Sequence, residues 1–365
     1  MVDFVLLLIS LFFSLTGLLL EEIVSIGAVV SILRYFPILI LYIKYFRWNF
    51  ASILPILFSF FLFSLSYLGG HYSFLGMVVT MMLPVSLFVF TRVRLSRKQI
   101  DIIKAMLVIA YMLYIIISFS GIFNINPNQV SFTLLVLTVD IFFCAYTNSG
   151  GKRIAGSPGL ILLLALSLVL IVLTEGRNSL LVYLMLIMAF LFRKRIDKMN
   201  IWGLIMLCLL ILFILYPFVY CLLSDGAKSS SQSTEMMGQD IFSGREIIWS
   251  YIFAQVSDPS YFYYGGIDTE WWGKSMHNSA LDIVVRYGVP TMVVVELVIL
   301  YYFKRLSTII NNPFKPLLIL IIVTMIWGVN ESGIFLGLSF FVFFPYSILH
   351  SKNGVVVSRN SLYER

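Results

Sequence analysis

The sequence predicts an all-α, polytopic integral membrane protein with about 12 transmembrane helices and one larger external loop. Three observations predict it. Of its 365 residues, 60% are hydrophobic and only 12% charged, with a mean hydropathy of +0.97; a water-soluble fold of this size is excluded. Apolar runs of about twenty residues, the length a helix needs to cross hydrocarbon, recur from Phe4 to Leu349. These runs lack the alternation of apolar and polar positions that a membrane β-barrel requires.

The first run, 2–20, carries Asp3 where a signal peptide would carry Lys or Arg, and it has no small-residue cleavage pattern, so a retained helix is expected. Further spans follow over 23–45, 50–69, 73–90, 101–120, 131–147, 158–174, 179–192, 201–222, 279–303, 316–329 and 333–349. Their order is oriented by charge. Lys44 and Arg47, Arg92 to Lys98, Lys152 and Arg153, Arg193 to Lys198, Lys304 and Arg305, and the tail from Lys352 fall in alternate connections and mark them as cytoplasmic. Both termini are then expected to face the cytoplasm. Most of the +7 net charge is a topology signal, and no nucleic-acid partner is implied.

Residues 1–365 read as a single transmembrane domain with no internal repeat. The loop over about 224–276 is its one sizeable extramembrane segment, low in complexity around Lys228 and richer in apolar and aromatic residues from Ile241 onward. Cys144, Cys208 and Cys221 show no paired spacing, and the chain has three histidines. No disulfide, metal site or cofactor is expected.

Ionisable residues on the external side gather in three clusters. Glu175-Gly176-Arg177-Asn178-Ser179 closes a tight connection, where Arg177 offers a fork of donors to a phosphate or sugar, or else pairs with Glu175 or snorkels to headgroups. Ser243-Gly244-Arg245-Glu246-Ile-Ile-Trp249 reads as a membrane-surface helix capped by Ser243, with Arg245 and Trp249 on one face. Arg245 there holds a diphosphate, stacks on Trp249 or meets lipid phosphate. Met276-His277-Asn278-Ser279 opens the tenth span, with Asp282 and Arg286 spaced to pair one turn apart. His277 is a candidate base, and Asn278 or Ser279 a candidate cap.

Between the last two clusters run Tyr261-Phe-Tyr-Tyr-Gly-Gly and Trp271-Trp272-Gly273, whose rings suit sugar faces as well as the membrane interface. Tyr264, Trp271 and Trp272 are therefore candidate binding residues. Inside predicted spans lie Arg34, which can contact a lipid-linked phosphate, and Asp140 and Glu296, which suit interhelical contacts.

Arg177 at a span end, Gly244-Arg245 with Trp249 in the loop, and His277-Asn278 followed after nine residues by Gly288 form a series that resembles the O-antigen polymerase and O-antigen ligase superfamily. The match covers mainly 174–303. It implies a metal-independent, inverting glycosyltransferase acting on an undecaprenyl-diphosphate-linked oligosaccharide at the periplasmic face. Arg177 and Arg245 would hold the diphosphate, and His277 would orient or deprotonate the acceptor hydroxyl. Arg286, Asn278, Trp249 and Arg34 would contact substrate.

A polymerase of surface polysaccharide, O-antigen or capsule, is expected over a ligase that uses lipid A-core. The resemblance also implies membrane lipid, a chain-length regulator and a flippase as partners. The Arg-x10-Gly loops of some polymerases are absent, since Met188 and Val256 stand where the glycines would be, and this keeps the ligase reading open. A lipid-linked sugar transporter is the alternative from another class; it would normally place polar sites near the midplane and show repeated halves.

Overall fold

The structure, a computed structural model, describes residues 1–20, 27–70, 74–120, 127–148, 158–174, 176–191, 201–229, 235–236, 239–240, 244–269, 276–310, 316–329, 331 and 339–349. Among these the chain is helical apart from one antiparallel pair of two-residue strands, β1 (Glu235–Met236) and β2 (Gln239–Asp240). The helices in order are α1 (Val2–Leu20), α2 (Gly27–Tyr45), α3 (Phe50–Gly69), α4 (Phe74–Phe90), α5 (Arg97–Phe119), α6 (Pro127–Asn148), α7 (Pro158–Leu173) and α8 (Arg177–Leu191). They continue with α9 (Trp202–Ser229), α10 (Arg245–Val256), α11 (Pro259–Tyr264), α12 (Ser279–Ile309), α13 (Pro316–Ile326) and α14 (Ser339–Phe343). A 3₁₀ turn, Trp327–Val329, extends α13.

Among the described residues, α3, α5, α6, α9 and α12 are long and apolar enough to cross a membrane, and shorter apolar helices accompany them. This is the make-up of an α-helical membrane protein. The candidate spans differ in surroundings: 94% of the α6 window is buried, against 28% to 33% for α3, α5 and α9. So α6 is the bundle's core, while apolar side chains such as Phe60, Ile109 and Leu212 remain on its outside, where lipid replaces protein contacts.

Local chemistry sets several ends. Asn49 caps α3 by accepting from the Ser52 amide, and Ser96 with Gln99 forms a capping box at the start of α5. The loop helix α10 differs from expectation. Its N-cap is Gly244, at φ 77°, with no side-chain cap bond, a residue that adopts the left-handed conformation freely; Ser243, the expected cap, lies outside the described residues. Nor does α10 rest only on a membrane surface: Trp249 is fully buried, edge-on to Tyr216 and Tyr220 of α9 at centroid distances of 5.9 and 5.0 Å.

The predicted tenth span is a broken helix. Gly288 adopts φ 80°, ψ 170° inside α12, and Pro290 follows, removing the amide that would have bonded to Arg286. The Val285 carbonyl released by the break accepts instead from the Gly266 and Ile267 amides, at 2.7 and 3.1 Å. A Cβ at Gly288 would lie 2.6 Å from the Tyr263 carbonyl carbon and oxygen. The segment after α11 is thus laid backbone to backbone against the bend.

Candidate functional site

Three segments distant in sequence meet on Glu331. Arg245, the first residue of α10, places Nη2 3.1 Å from Glu331 Oε1. His277, just before α12, places Nδ1 3.3 Å from Glu331 Oε2. The Glu331 side chain is 9% exposed, Arg245 21% and His277 33%. A carboxylate this enclosed needs such donors, because burying an uncompensated charge costs several kcal/mol.

The framework is built from the flanking residues. Asn278 caps α12, its Oδ1 accepting from the Ala280 and Leu281 amides, each at 2.9 Å. Its Nδ2 donates to the Phe213 carbonyl at 3.0 Å and the Val329 carbonyl at 2.9 Å. The side chain is completely buried. Ser279 donates to the Glu331 carbonyl at 2.8 Å, so the backbone of the acid is tied to the same helix start as its side chain. Trp249 Nε1 donates to the Met276 carbonyl at 2.8 Å, fixing the residue before His277 to α10. Held from both sides, His277 sits at φ 50°, in the left-handed region that costs a non-glycine residue about 1 kcal/mol. Strain of this kind persists where surrounding structure over-determines it, commonly at functional positions.

The first cluster joins through the same turn. Asn178 donates to the Trp327 carbonyl at 3.0 Å, and Trp327 Nε1 donates to Ser179 Oγ at 3.1 Å. Phe132 of α6 stacks on Trp327 with ring centroids 3.6 Å apart. Arg177 is exposed at the start of α8, next to Asn178. The turn at Trp327–Val329 therefore links the first and third sequence clusters, gripped by Asn178 and Ser179 on one side and by Asn278 on the other.

Phe213 lies near the middle of α9, a helix about 42 Å long, and the Glu246 carbonyl is contacted from Cys221 of that helix. The cluster thus lies beside α9, between Phe213 and Cys221, well inside the helix's length.

Other candidates have different settings. Arg286 pairs with Asp282, Nε to Oδ1 at 2.9 Å, the spacing expected from the sequence; the arginine side chain is partly exposed and the aspartate enclosed. Tyr264 packs on Gly69 at the end of α3, where a glycine Cβ would come within 2.6 Å of it. Arg34 is buried in the hairpin of α1 and α2, its Nη2 donating to the Tyr35 hydroxyl at 3.0 Å and its guanidinium 4.6 Å from that ring. Asn278 and Trp249, expected against substrate, are buried with their polar atoms engaged by backbone; they position neighbouring groups. Trp271 and Trp272 lie outside the described residues.

Sequence reading missed Glu331. It passed over Asn330 to Ser332 as a short connection between spans, although an acid at the edge of an apolar run is itself a functional signal. Among the described residues no group of three His, Cys, Asp or Glu side chains is arranged to hold a metal ion. No protein-family model, curated protein or solved structure matches the chain.

Proposed function

We propose that the chain is a metal-independent, inverting glycosyltransferase of the O-antigen polymerase type, with about twelve membrane crossings, cytoplasmic termini and its site toward the periplasm of the inner membrane. The observation that carries this reading is the meeting of Arg245 and His277 on one carboxylate. Both residues were selected from the sequence for diphosphate binding and proton transfer, and they lie 32 positions apart in the chain, yet each is within reach of Glu331.

In the proposed reaction the acceptor hydroxyl of one lipid-linked repeat attacks the anomeric carbon of a second, undecaprenyl-diphosphate-linked glycan. The new C–O bond forms as the bond to the diphosphate breaks, and its electron pair leaves on the diphosphate oxygen. Arg245 and Arg177 neutralise the growing negative charge, the setting in which preorganised donors have most effect. Glu331 accepts a hydrogen bond from the Nδ1–H of His277, which keeps the ring in the tautomer whose Nε2 lone pair takes the proton of the attacking hydroxyl. Arg286, exposed further along α12, is available to the sugars or phosphates. The level of the cluster along α9, between Phe213 and Cys221, suits a substrate whose lipid tail stays in the bilayer while its diphosphate meets Arg245.

The absence of Arg-x10-Gly loops supports a second reading, a ligase with lipid A-core as acceptor. One experiment separates the two. Surface glycans are run as a gel ladder from cells deleted for this gene and complemented with wild type, Arg245→Ala, His277→Ala or Glu331→Gln at matched protein levels. Core bearing a single repeat unit marks a lost polymerase; bare core with polymer retained on its carrier marks a lost ligase. An unchanged ladder in all three variants removes the transferase reading.

A further inference from the structure

At the far end of α12 a second group of cations meets under different terms. Tyr302 donates to the Ala51 carbonyl at 2.8 Å, and Tyr301 packs edge-on to Phe50 at 5.5 Å, drawing the end of α12 to the start of α3. Tyr42 of α2 donates to the Ser52 carbonyl at 2.5 Å and packs edge-on to Phe88 at 5.3 Å, bringing the end of α4 to the same place. Three arginines leave these anchored segments: Arg47 before α3, Arg92 after α4 and Arg305 just beyond Tyr302. The Arg92 guanidinium lies over the Phe88 ring at 5.4 Å.

Among the described residues none of these three arginines has an ion pair with an acid, and Arg92 Nε is enclosed without a hydrogen-bond partner. The one carboxylate recorded nearby on α1, Asp3, is taken by Lys44 and Tyr45. Burial, with the guanidinium groups of Arg305 and Arg47 close by, pushes Arg92 below its usual pKa. Like charges drawn together by folding, with an enclosed donor among them, are a site that an anion completes.

We propose that Arg47, Arg92 and Arg305 form a binding site for the phosphate of an anionic membrane phospholipid. A lipid source is favoured by the neighbours of Arg47: Trp48 is 88% exposed, an aromatic of the kind that sits at headgroup level, and the apolar Phe50 beside it is 61% exposed. In the orientation read from the basic segments this is the cytoplasmic end, where anionic lipid attracts arginine by about 1 kcal/mol per side chain.

The test uses the full chain in detergent, stripped of lipid and then given phosphatidylglycerol, phosphatidylcholine or inorganic phosphate, with native mass spectrometry and thermal unfolding as readouts. Phosphatidylglycerol should stay bound to the wild type and raise its unfolding midpoint, while phosphatidylcholine should do neither. Arg92→Gln and Arg305→Gln should each cut phosphatidylglycerol binding about fivefold. Equal retention of the two lipids, or equal retention by wild type and both variants, overturns the proposal. Inorganic phosphate protecting as well as phosphatidylglycerol at equal concentration overturns the lipid source. Should Arg92→Gln fail to fold, Arg305→Gln and the wild-type lipid comparison decide.

Discussion

The cluster at Glu331 and the cluster at Arg92 both gather basic side chains near helix ends, yet the chain completes only the first with its own acid. Arg245 and His277 close on Glu331 within 3.1 and 3.3 Å, and the backbone beneath them is tied by Asn278, Ser279 and Trp249. Arg47, Arg92 and Arg305 are brought together by tyrosine hydrogen bonds and ring contacts, and no acid of the described chain pairs with them. The difference teaches how to tell two uses of positive charge apart. A basic group with an internal acid partner is held in a defined geometry before any ligand arrives, as the proposed proton transfer requires. A cation without one keeps its binding capacity for something outside the chain.

Converting the first cluster into the likeness of the second gives the largest expected effect. Glu331→Gln keeps the shape and removes the charge; glycan transfer by purified protein should fall about 10²- to 10⁴-fold, the usual contribution of a positioned base. His277→Ala should fall as far, and the double variant little further, because the two act as one unit. Additive losses would dissolve the pair.

The framework should yield next. Gly288→Ala forces a positive φ on alanine and pushes a Cβ to 2.6 Å from the Tyr263 backbone. A loss of about 3 kcal/mol of stability is expected, together with disturbance of the loop, readable as a lowered unfolding midpoint in detergent. Asn278→Ala strands the Phe213 and Val329 carbonyls and uncaps α12, at a cost of about 2 kcal/mol; a smaller loss of stability than of activity would separate its anchoring of His277 from general folding. Trp249→Phe keeps an aromatic ring but loses the bond to the Met276 carbonyl and leaves space in the crevice on α9, about 2 kcal/mol together. None of these three should alter phospholipid retention at Arg92, and such a change would show the two clusters to be coupled.

Much of this was visible in the chain itself. The apolar runs anticipated the positions of α3, α5, α6 and α9, because length and hydropathy are properties of contiguous residues. So was the pair of Asp282 and Arg286, one helical turn apart. The Gly288 of the His-Asn-x9-Gly series acquires a physical reason in the close approach of Tyr263. What the sequence withheld depends on distance along the chain. Glu331 meets partners 86 and 54 residues away, and no periodicity records such a contact. Asn278 could be read as a cap, but its grip on Phe213 and Val329 required the neighbouring helices. The same holds for Trp249, whose spacing suggested a surface face and whose place is an aromatic crevice on α9.

The bend in α12 bears on the order in which the protein is made. Val285 cannot keep its carbonyl unsatisfied in hydrocarbon, and its acceptor is served by Gly266 and Ile267, residues that precede it in the chain. During synthesis those amides therefore exist before the helix that needs them has emerged, and the bent segment can be received by a partner already outside the ribosome. Shortening or relocating the loop should impair membrane insertion of α12 itself, because the Val285 carbonyl would lose the two amides that serve it.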